Sequence, residues 1–195
     1  MRGLEQIPWL YDAFLSFGEW TGLGKWRQWL VEGTRGRCLD LGSGTGRNLP
    51  LYPAGTTVIA LDPAEETMVK ARRRAPQVGF VRASAEALPF RDGAFDTVVC
   101  GLVFCSIPDP QRGLSEVRRV MRPDASLRML EHVRSTRPFS ARLQDLVQPA
   151  WTCLAGGCHP NRDTEQSVLQ AGFVIAPEGR QAAGNMRRFT ARKGS

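Results

Sequence analysis

The clearest chemistry in this 195-residue sequence lies in two aspartates and three glycines. Asp40 sits near the end of the apolar run RCLDL, and Gly42, Gly44 and Gly46 follow it in the spacing G-x-G-x-G. A backbone that turns sharply and meets a ligand closely tolerates no Cβ, which is why such turns use glycine. The spacing departs from the G-x-G-x-x-G of dinucleotide binders and so disfavours a nicotinamide-linked oxidoreductase. Asp62 ends the next apolar run, 22 residues after Asp40. A carboxylate there can accept both hydroxyl protons of a ribose, and it is equally suited to cap a helix begun at Pro63. Asp40 suits a ligand with an ammonium group, or is simply a strand-end acid.

These residues need a particular scaffold. Short apolar, β-branched runs (RCLDL, TTVIALD, GFVRA, FDTVVCGLVF, SLRMLEHV) alternate with amphipathic stretches (AEETMVKARRR, PQRGLSEVRRVMRP). That alternation predicts βαβ units, an α/β fold and a mostly parallel sheet with helices on both faces. A helix near 162–171 and two closing strands, GFVIAPE and NMRRFTAR, complete the chain. Residues 5–31 are rich in aromatics broken by glycines. Trp9, Tyr11 and Phe14 precede the first strand and predict a helical lid, within 1–31, over an apolar acceptor pocket. The chain reads as one domain over 1–195, with a cofactor-binding core at 37–135 and substrate-side helices and closing strands at 136–195.

Composition narrows the partners. No apolar stretch is long enough to span a membrane, and the N-terminus lacks the order of a signal peptide, so a cytoplasmic protein is expected. Five cysteines, Cys38, Cys100 and Cys105 among them in strand-like runs, argue against a disulfide framework. The net charge of +7 comes from scattered arginines, with local runs only at Arg72, Arg73 and Arg74 and in RRFTARKGS. No nucleic-acid partner is expected; a bias toward anionic substrates or peripheral contact with an anionic membrane is compatible with this surface.

The stretches LDLGSGTGRNLPLYP, VIALDPAEETMVKARRR, ASAEALPFRDGAFDTVVC and LSEVRRVMRPDASLRMLEHV together resemble the class I S-adenosylmethionine (SAM)-dependent methyltransferases of the UbiE-like (methyltransferase type 11) group, over about residues 37–135. The resemblance implies a Rossmann-like, seven-stranded fold with SAM as cofactor. It implies that Asp40 and the backbone of Gly42 and Gly44 hold the methionine end, with Gly46 completing the turn. Asp62 with Pro63 would hold the ribose, and Ser84, Ala85 and Glu86 would edge the adenine, with Cys100 and Leu102 beside them. Relatives often carry Gly-Asp where this chain has Ala83-Ser84, and a neutral serine oxygen is a weaker acceptor than a carboxylate.

GLVFCSIPD, MLEHV and QPAWTCLAGGCHPNRDT are similar to the alkyl-thiol S-methyltransferases, with Leu102, Val103, Cys105, Ser106, Pro149, Trp151, Gly157, Cys158 and Arg162 at matching positions. No counterpart of the hydrophobic N-terminal anchor of the animal enzymes is expected here. Methyl transfer from a sulfonium needs alignment, water exclusion and a deprotonated nucleophile, and a thiol ionises more readily than an alkyl ammonium. His132, after the fifth apolar run, is the candidate general base; its alternative is a structural histidine. His159 and Asp163 belong to a segment expected to arch over the same edge. Cys153, Cys158 and His159 with His132 have metal-ligand chemistry, and Cys105, Cys153 and Cys158 resemble arsenite-binding thiol sets in another methyltransferase branch. Neither has tight ligand spacing, and no metal is assigned. The reading is methyl transfer to a small apolar acceptor, a thiol favoured. Phospholipid (phosphatidylethanolamine) N-methylation and quinone-type C-methylation are alternatives.

Overall fold

A computed structural model describes residues 23–154 and 157–194. The expected lid falls largely on residues outside this range. The first described element, α1 (Gly24–Glu32), is followed by β1 (Arg37–Leu41), a short 3-10 turn (Leu49–Leu51), β2 (Thr57–Asp62), α2 (Glu65–Arg74), β3 (Gly79–Arg82) and β4 (Phe95–Gly101). Then come α3 (Pro110–Val120), β5 (Met121–His132), α4 (Pro138–Leu154), α5 (Thr164–Gln170), β6 (Phe173–Ile175), β7 (Gln181–Ala183) and β8 (Met186–Lys193).

The main sheet order is β3-β2-β1-β4-β5-β8-β6, and β7 pairs with β8 outside that path. Strands β1 to β5 pair in parallel, whereas β8 runs antiparallel to β5, β6 and β7. The seven strands expected are present, and the three-residue β7 is an eighth that its short, exposed sequence QAA did not announce. The chain reverses its direction of progress between β1 and β4, so ligands are expected at the carboxyl ends of these neighbouring strands.

Both faces of the sheet are covered. Leu39, Leu41, Val98, Cys100, Leu127 and Met129 meet Leu114, Val117 and Val120 of α3 on one side. On the other, Cys38, Val99 and Leu130 meet Leu30 and Val31 of α1. Helix α3 begins where Asp109 accepts from Arg112 N–H at 3.0 Å, with Pro110 in its first turn. Helix α2 has Glu65 and Glu66 in its first turn and Arg72, Arg73 and Arg74 in its last, matching its dipole.

The described part of the aromatic N-terminal segment is core rather than lid. Arg188 stacks over Trp26 and Trp29, Arg128 stacks over Trp29, and Arg128 Nε donates to Leu30 O at 2.7 Å. The basic runs are likewise used internally. Arg187 is buried, Lys193 donates to Met121 O, and Arg74 donates to Thr45 O. Much of the arginine excess therefore fastens strands and helices together. Among the described residues no helix is long and apolar enough to cross a membrane.

Candidate cofactor and acceptor site

The turn after β1 contains the three glycines, and each has its own reason. A Cβ on Gly42 would come within 2.5 Å of the Val103 side chain, and one on Gly46 within 2.8 Å of Ala71 in α2. Those two glycines are demanded by the protein's own packing, so Gly46, expected at the ligand, instead lets α2 close on the turn. At Gly44 the backbone has φ +52°, and a Cβ would meet nothing within 4 Å. The space beside Gly44 is where a ligand can lie against bare backbone.

Asp40, two residues before Gly42, is 1% exposed, with Asn48, Arg27 and Tyr52 about it. Neither carboxylate oxygen has a hydrogen-bond partner among the described residues. Burial pushes its pKa up to about 7, against the opposing pull of Asn48 and Arg27. Arg27 Nη1 donates to Asn48 Oδ1 at 2.9 Å, so a buried cation and amide stand beside the acid. An unpartnered buried carboxylate at a bare-backbone turn fits an ammonium-bearing cofactor end.

Asp62 is buried at the end of β2 and already occupied. Its Oδ2 accepts Gly44 N–H at 2.8 Å, while Oδ1 accepts Ala64 N–H at 2.9 Å and the Thr67 hydroxyl at 3.2 Å. The acid thus ties the glycine turn to the start of α2. The helix opens at Glu65, and Pro63 is exposed before it, with its carbonyl accepting from Arg82 Nε. The expectation that Pro63 begins the helix is corrected.

The adenine-side residues separate. Ser84 Oγ accepts Glu86 N–H and donates to Glu86 Oε2, and Glu86 Oε1 accepts Asp109 N–H at 2.8 Å. Glu86 therefore stitches this turn to α3. Ala85 is buried. Cys100, expected at the cofactor, is fully buried in the core and its thiol is pushed well above the usual range by burial; its side chain is packing. Leu102 follows β4 with φ +62°, a left-handed conformation rare for leucine, and its N–H donates to Leu130 O at 2.7 Å.

What holds that strained loop is Glu131, which the sequence reading passed over. Fully buried in β5, it accepts N–H groups from Val103 at 2.9 Å, Phe104 at 3.0 Å and, more weakly, Cys105 at 3.4 Å. Burial pushes its pKa up to about 7 against these donors. The adjacent His132 ends β5 and is half-buried.

Three segments converge beside His132. The loop after β4 brings Cys105, and the segment after α4 brings Cys158, which is buried. His159 N–H donates to Cys105 O at 2.7 Å, and Arg162 Nη1 donates to Phe104 O at 2.7 Å and to Ile107 O, so this segment does arch over the sheet edge. The donor atoms of Cys105, His132 and Cys158 all lie within 4.8 Å of one another. The Cys105 thiol, with His132 and Trp151, holds Cys158 well below the usual thiol range despite burial, while Cys105 itself is driven up. His159 faces away from the cluster in its bonding, with Nδ1 against Gln148 Nε2 at 3.0 Å. Asp163 caps α5 through Gln166 N–H, and Cys153 is exposed. The two ligand sets considered from sequence are thus replaced by a third, drawn from residues 27 and 26 apart, a separation that leaves no motif.

The fold is that of the class I methyltransferases, with the glycine turn after β1 and the Cys105, His132 and Cys158 cluster beside β4 and β5 at the same carboxyl edge of the sheet. A methyltransferase domain model matches residues 39–129. The chain is 36% identical over 143 residues to the thiol S-methyltransferase TMT1B of Rattus norvegicus, covering 69% of this chain and 59% of that protein. It is 33% identical over 118 residues to a phosphatidylethanolamine N-methyltransferase of Cereibacter sphaeroides, covering 57% of this chain and 58% of the relative. The chain spans about six-tenths of the length of these relatives. A SAM-dependent methyltransferase of Thermotoga maritima, described as a possible histamine N-methyltransferase, superposes with a TM-score of 0.76 at 20% identity, covering 97% of this chain and 98% of the other. The chain is thus similar to the class I SAM-dependent methyltransferases in its matched domain and in its fold, and SAM is the methyl donor of that class.

Proposed function

We propose that this chain transfers a methyl group from SAM to a small apolar thiol. The cofactor half of the reading rests on Asp40, with its partnerless buried carboxylate, and on the open backbone at Gly44. The ammonium of the methionine end meets Asp40, and Asp62 exchanges one of its present donors for the ribose hydroxyls.

The observation that carries the acceptor half is the cluster Cys105, His132 and Cys158 at the same sheet edge, one strand over from the cofactor turn. Glu131, the carboxylate next to His132 in the chain, is taken up by backbone N–H groups and so is not spare as a base for an amine. A soft nucleophile asks only for alignment and loss of one proton, which His132 can take. In the transfer the thiolate electron pair forms the S–CH3 bond, and the pair of the breaking methyl–sulfonium bond stays on S-adenosylhomocysteine. The similarity to thiol S-methyltransferases supports the same acceptor class.

A second reading, phospholipid N-methylation, is favoured by α4. Phe139, Leu143, Leu146 and Val147 recur at helical spacing and are exposed, Phe139 by 82% and Leu146 by 78%, a face suited to an anionic lipid surface. Purified protein with SAM is expected to release S-adenosylhomocysteine with small alkyl and aryl thiols. Release with phosphatidylethanolamine vesicles and with none of the thiols would overturn the thiol reading in favour of the lipid one.

A further inference from the structure

We propose that Cys105, His132 and Cys158 form a binding site for a thiophilic divalent cation of the zinc type, with a fourth coordination position left for the acceptor thiolate. Two sulfurs and an imidazole nitrogen lie within 4.8 Å of one another. A tetrahedral zinc ion, with Zn–S about 2.3 Å and Zn–N about 2.0 Å, sets its donors about 3.5–3.8 Å apart, so the cluster closes onto an ion by about 1 Å.

Each ligand is already held by a separate anchor. The Cys105 carbonyl accepts from His159 N–H, and the loop around Cys105 hangs on Glu131. Cys158 O accepts from the Thr152 hydroxyl at 3.0 Å. His132 is fixed by the β5 ladder against Met186. Such preorganisation is what a metal site needs, because the cost of gathering ligands is met by the fold.

The charge balance also fits. Two thiolates, a neutral imidazole and a dication sum to zero, which suits a site whose sulfurs are 2% and 7% exposed by residue. Two soft sulfurs select zinc-type ions over magnesium or calcium. Three protein ligands with one position free is the pattern of a reactive rather than a closed structural site. Cys105 and Cys158 are buried and His132 is half-buried, so an entering thiol would approach from the His132 side.

The part about the fourth position rests on the thiol reading above. An acceptor thiol would enter as its thiolate, releasing its proton to solvent. The cation then does for the acceptor what His132 alone does in the metal-free protein, and no oxidant or reductant is required.

The test is titration of reduced, chelator-stripped protein with Cd2+, followed by thiolate-to-metal charge-transfer absorbance. One equivalent is expected to bind. Cys105→Ser and Cys158→Ser should each weaken binding by about a hundredfold or more and halve the band, since even outer-shell changes cost about 10–100-fold. His132→Ala should weaken binding without reducing the band, and Cys153→Ser should change neither. SAM affinity, measured on the same variants, confirms that they fold. Adding an acceptor thiol to the Co2+-loaded protein should then shift its visible spectrum. Equal Cd2+ binding by wild type and the Cys105→Ser/Cys158→Ser double variant overturns the site. An unmoved Co2+ spectrum overturns the open fourth position. Loss of the site with thiol turnover intact leaves the proposed function standing, whereas metal binding with turnover only on lipid vesicles removes the thiol reading and keeps the site.

Discussion

Two buried carboxylates stand at the carboxyl edge of the sheet, and they have opposite fates. Asp40 and Glu131 are 1% and 0% exposed, and burial raises each to a pKa of about 7. Glu131 is filled by three backbone N–H donors of the chain itself, whereas Asp40 has none among the described residues. The satisfied acid fastens the loop after β4, and the unsatisfied one is the acid proposed to meet the cofactor's ammonium. Burial and an elevated pKa alone do not distinguish these roles; the count of hydrogen bonds does.

Removal of Glu131 is expected to have the largest effect. Glu131→Ala should cost about 3–5 kcal/mol of folding stability, because it strands the N–H groups of Val103, Phe104 and Cys105 and leaves strained Leu102 held only by its bond to Leu130 O. Glu131→Gln keeps an acceptor oxygen and should cost about 1 kcal/mol. A denaturant series checks both. Equal, small losses in the two variants would mean that the loop after β4 stands without this clamp.

The opposite sign is expected at Asp40. Its folded pKa of about 7 lies above the unfolded value near 3.9, so between these limits the folded protein holds a proton that the unfolded chain has lost. Stability of the ligand-free protein therefore falls as pH rises through that window, and the penalty is complete above it. Asp40→Asn should stabilise the ligand-free protein by up to about 4 kcal/mol at pH 8 and by little at pH 4, while weakening SAM binding by about 2–3 kcal/mol. In the wild type, SAM affinity should drop as pH falls below about 7, approaching tenfold per unit. Melting curves and calorimetric titration across pH measure each part; pH-independent affinity would show that the ionised acid takes no part in binding.

Asp62 lies between the two cases, since it has donors of its own and is also expected to serve the ligand. Asp62→Ala should weaken SAM binding by about 1–3 kcal/mol and stability by about 1 kcal/mol, the latter from the lost tie to Ala64 and Thr67. Unchanged SAM affinity with reduced stability would make Asp62 a structural tie only.

The elements and the cofactor turn were legible because they are local. The alternation of RCLDL, TTVIALD and FDTVVC with α2 and α3 is written in side-chain periodicity, and Asp40 and Asp62 terminate strands that the pattern marks. What was not legible depends on contacts between distant residues. Nothing near Gly46 in sequence says that Ala71 presses on it, and nothing near Cys100 says which face of β4 it takes. Glu131 looked like a neighbour of His132 because its three partners lie 26 to 28 residues away. The Cys105, His132 and Cys158 cluster is invisible for the same reason. The short β7 has no apolar alternation, since β8 supplies its partner and solvent covers the rest.

The smallest expected effect tests the adenine end, where Ser84 stands at the position that the resemblance assigns to the adenine edge. Ser84 is exposed, and its hydroxyl is already engaged with Glu86 as both donor and acceptor. One lone pair remains for an adenine amino group, in contact with water, where a neutral hydrogen bond contributes little. Ser84→Ala should therefore weaken SAM binding by less than about 0.5 kcal/mol, because most of the affinity is placed at Asp40 and Asp62. The same titration used for those variants reads it directly. A loss of tenfold or more would put a substantial share of cofactor recognition on Ser84, and the division between ligand-facing Asp40 and self-satisfied residues such as Glu131 would then have to include a group that serves both.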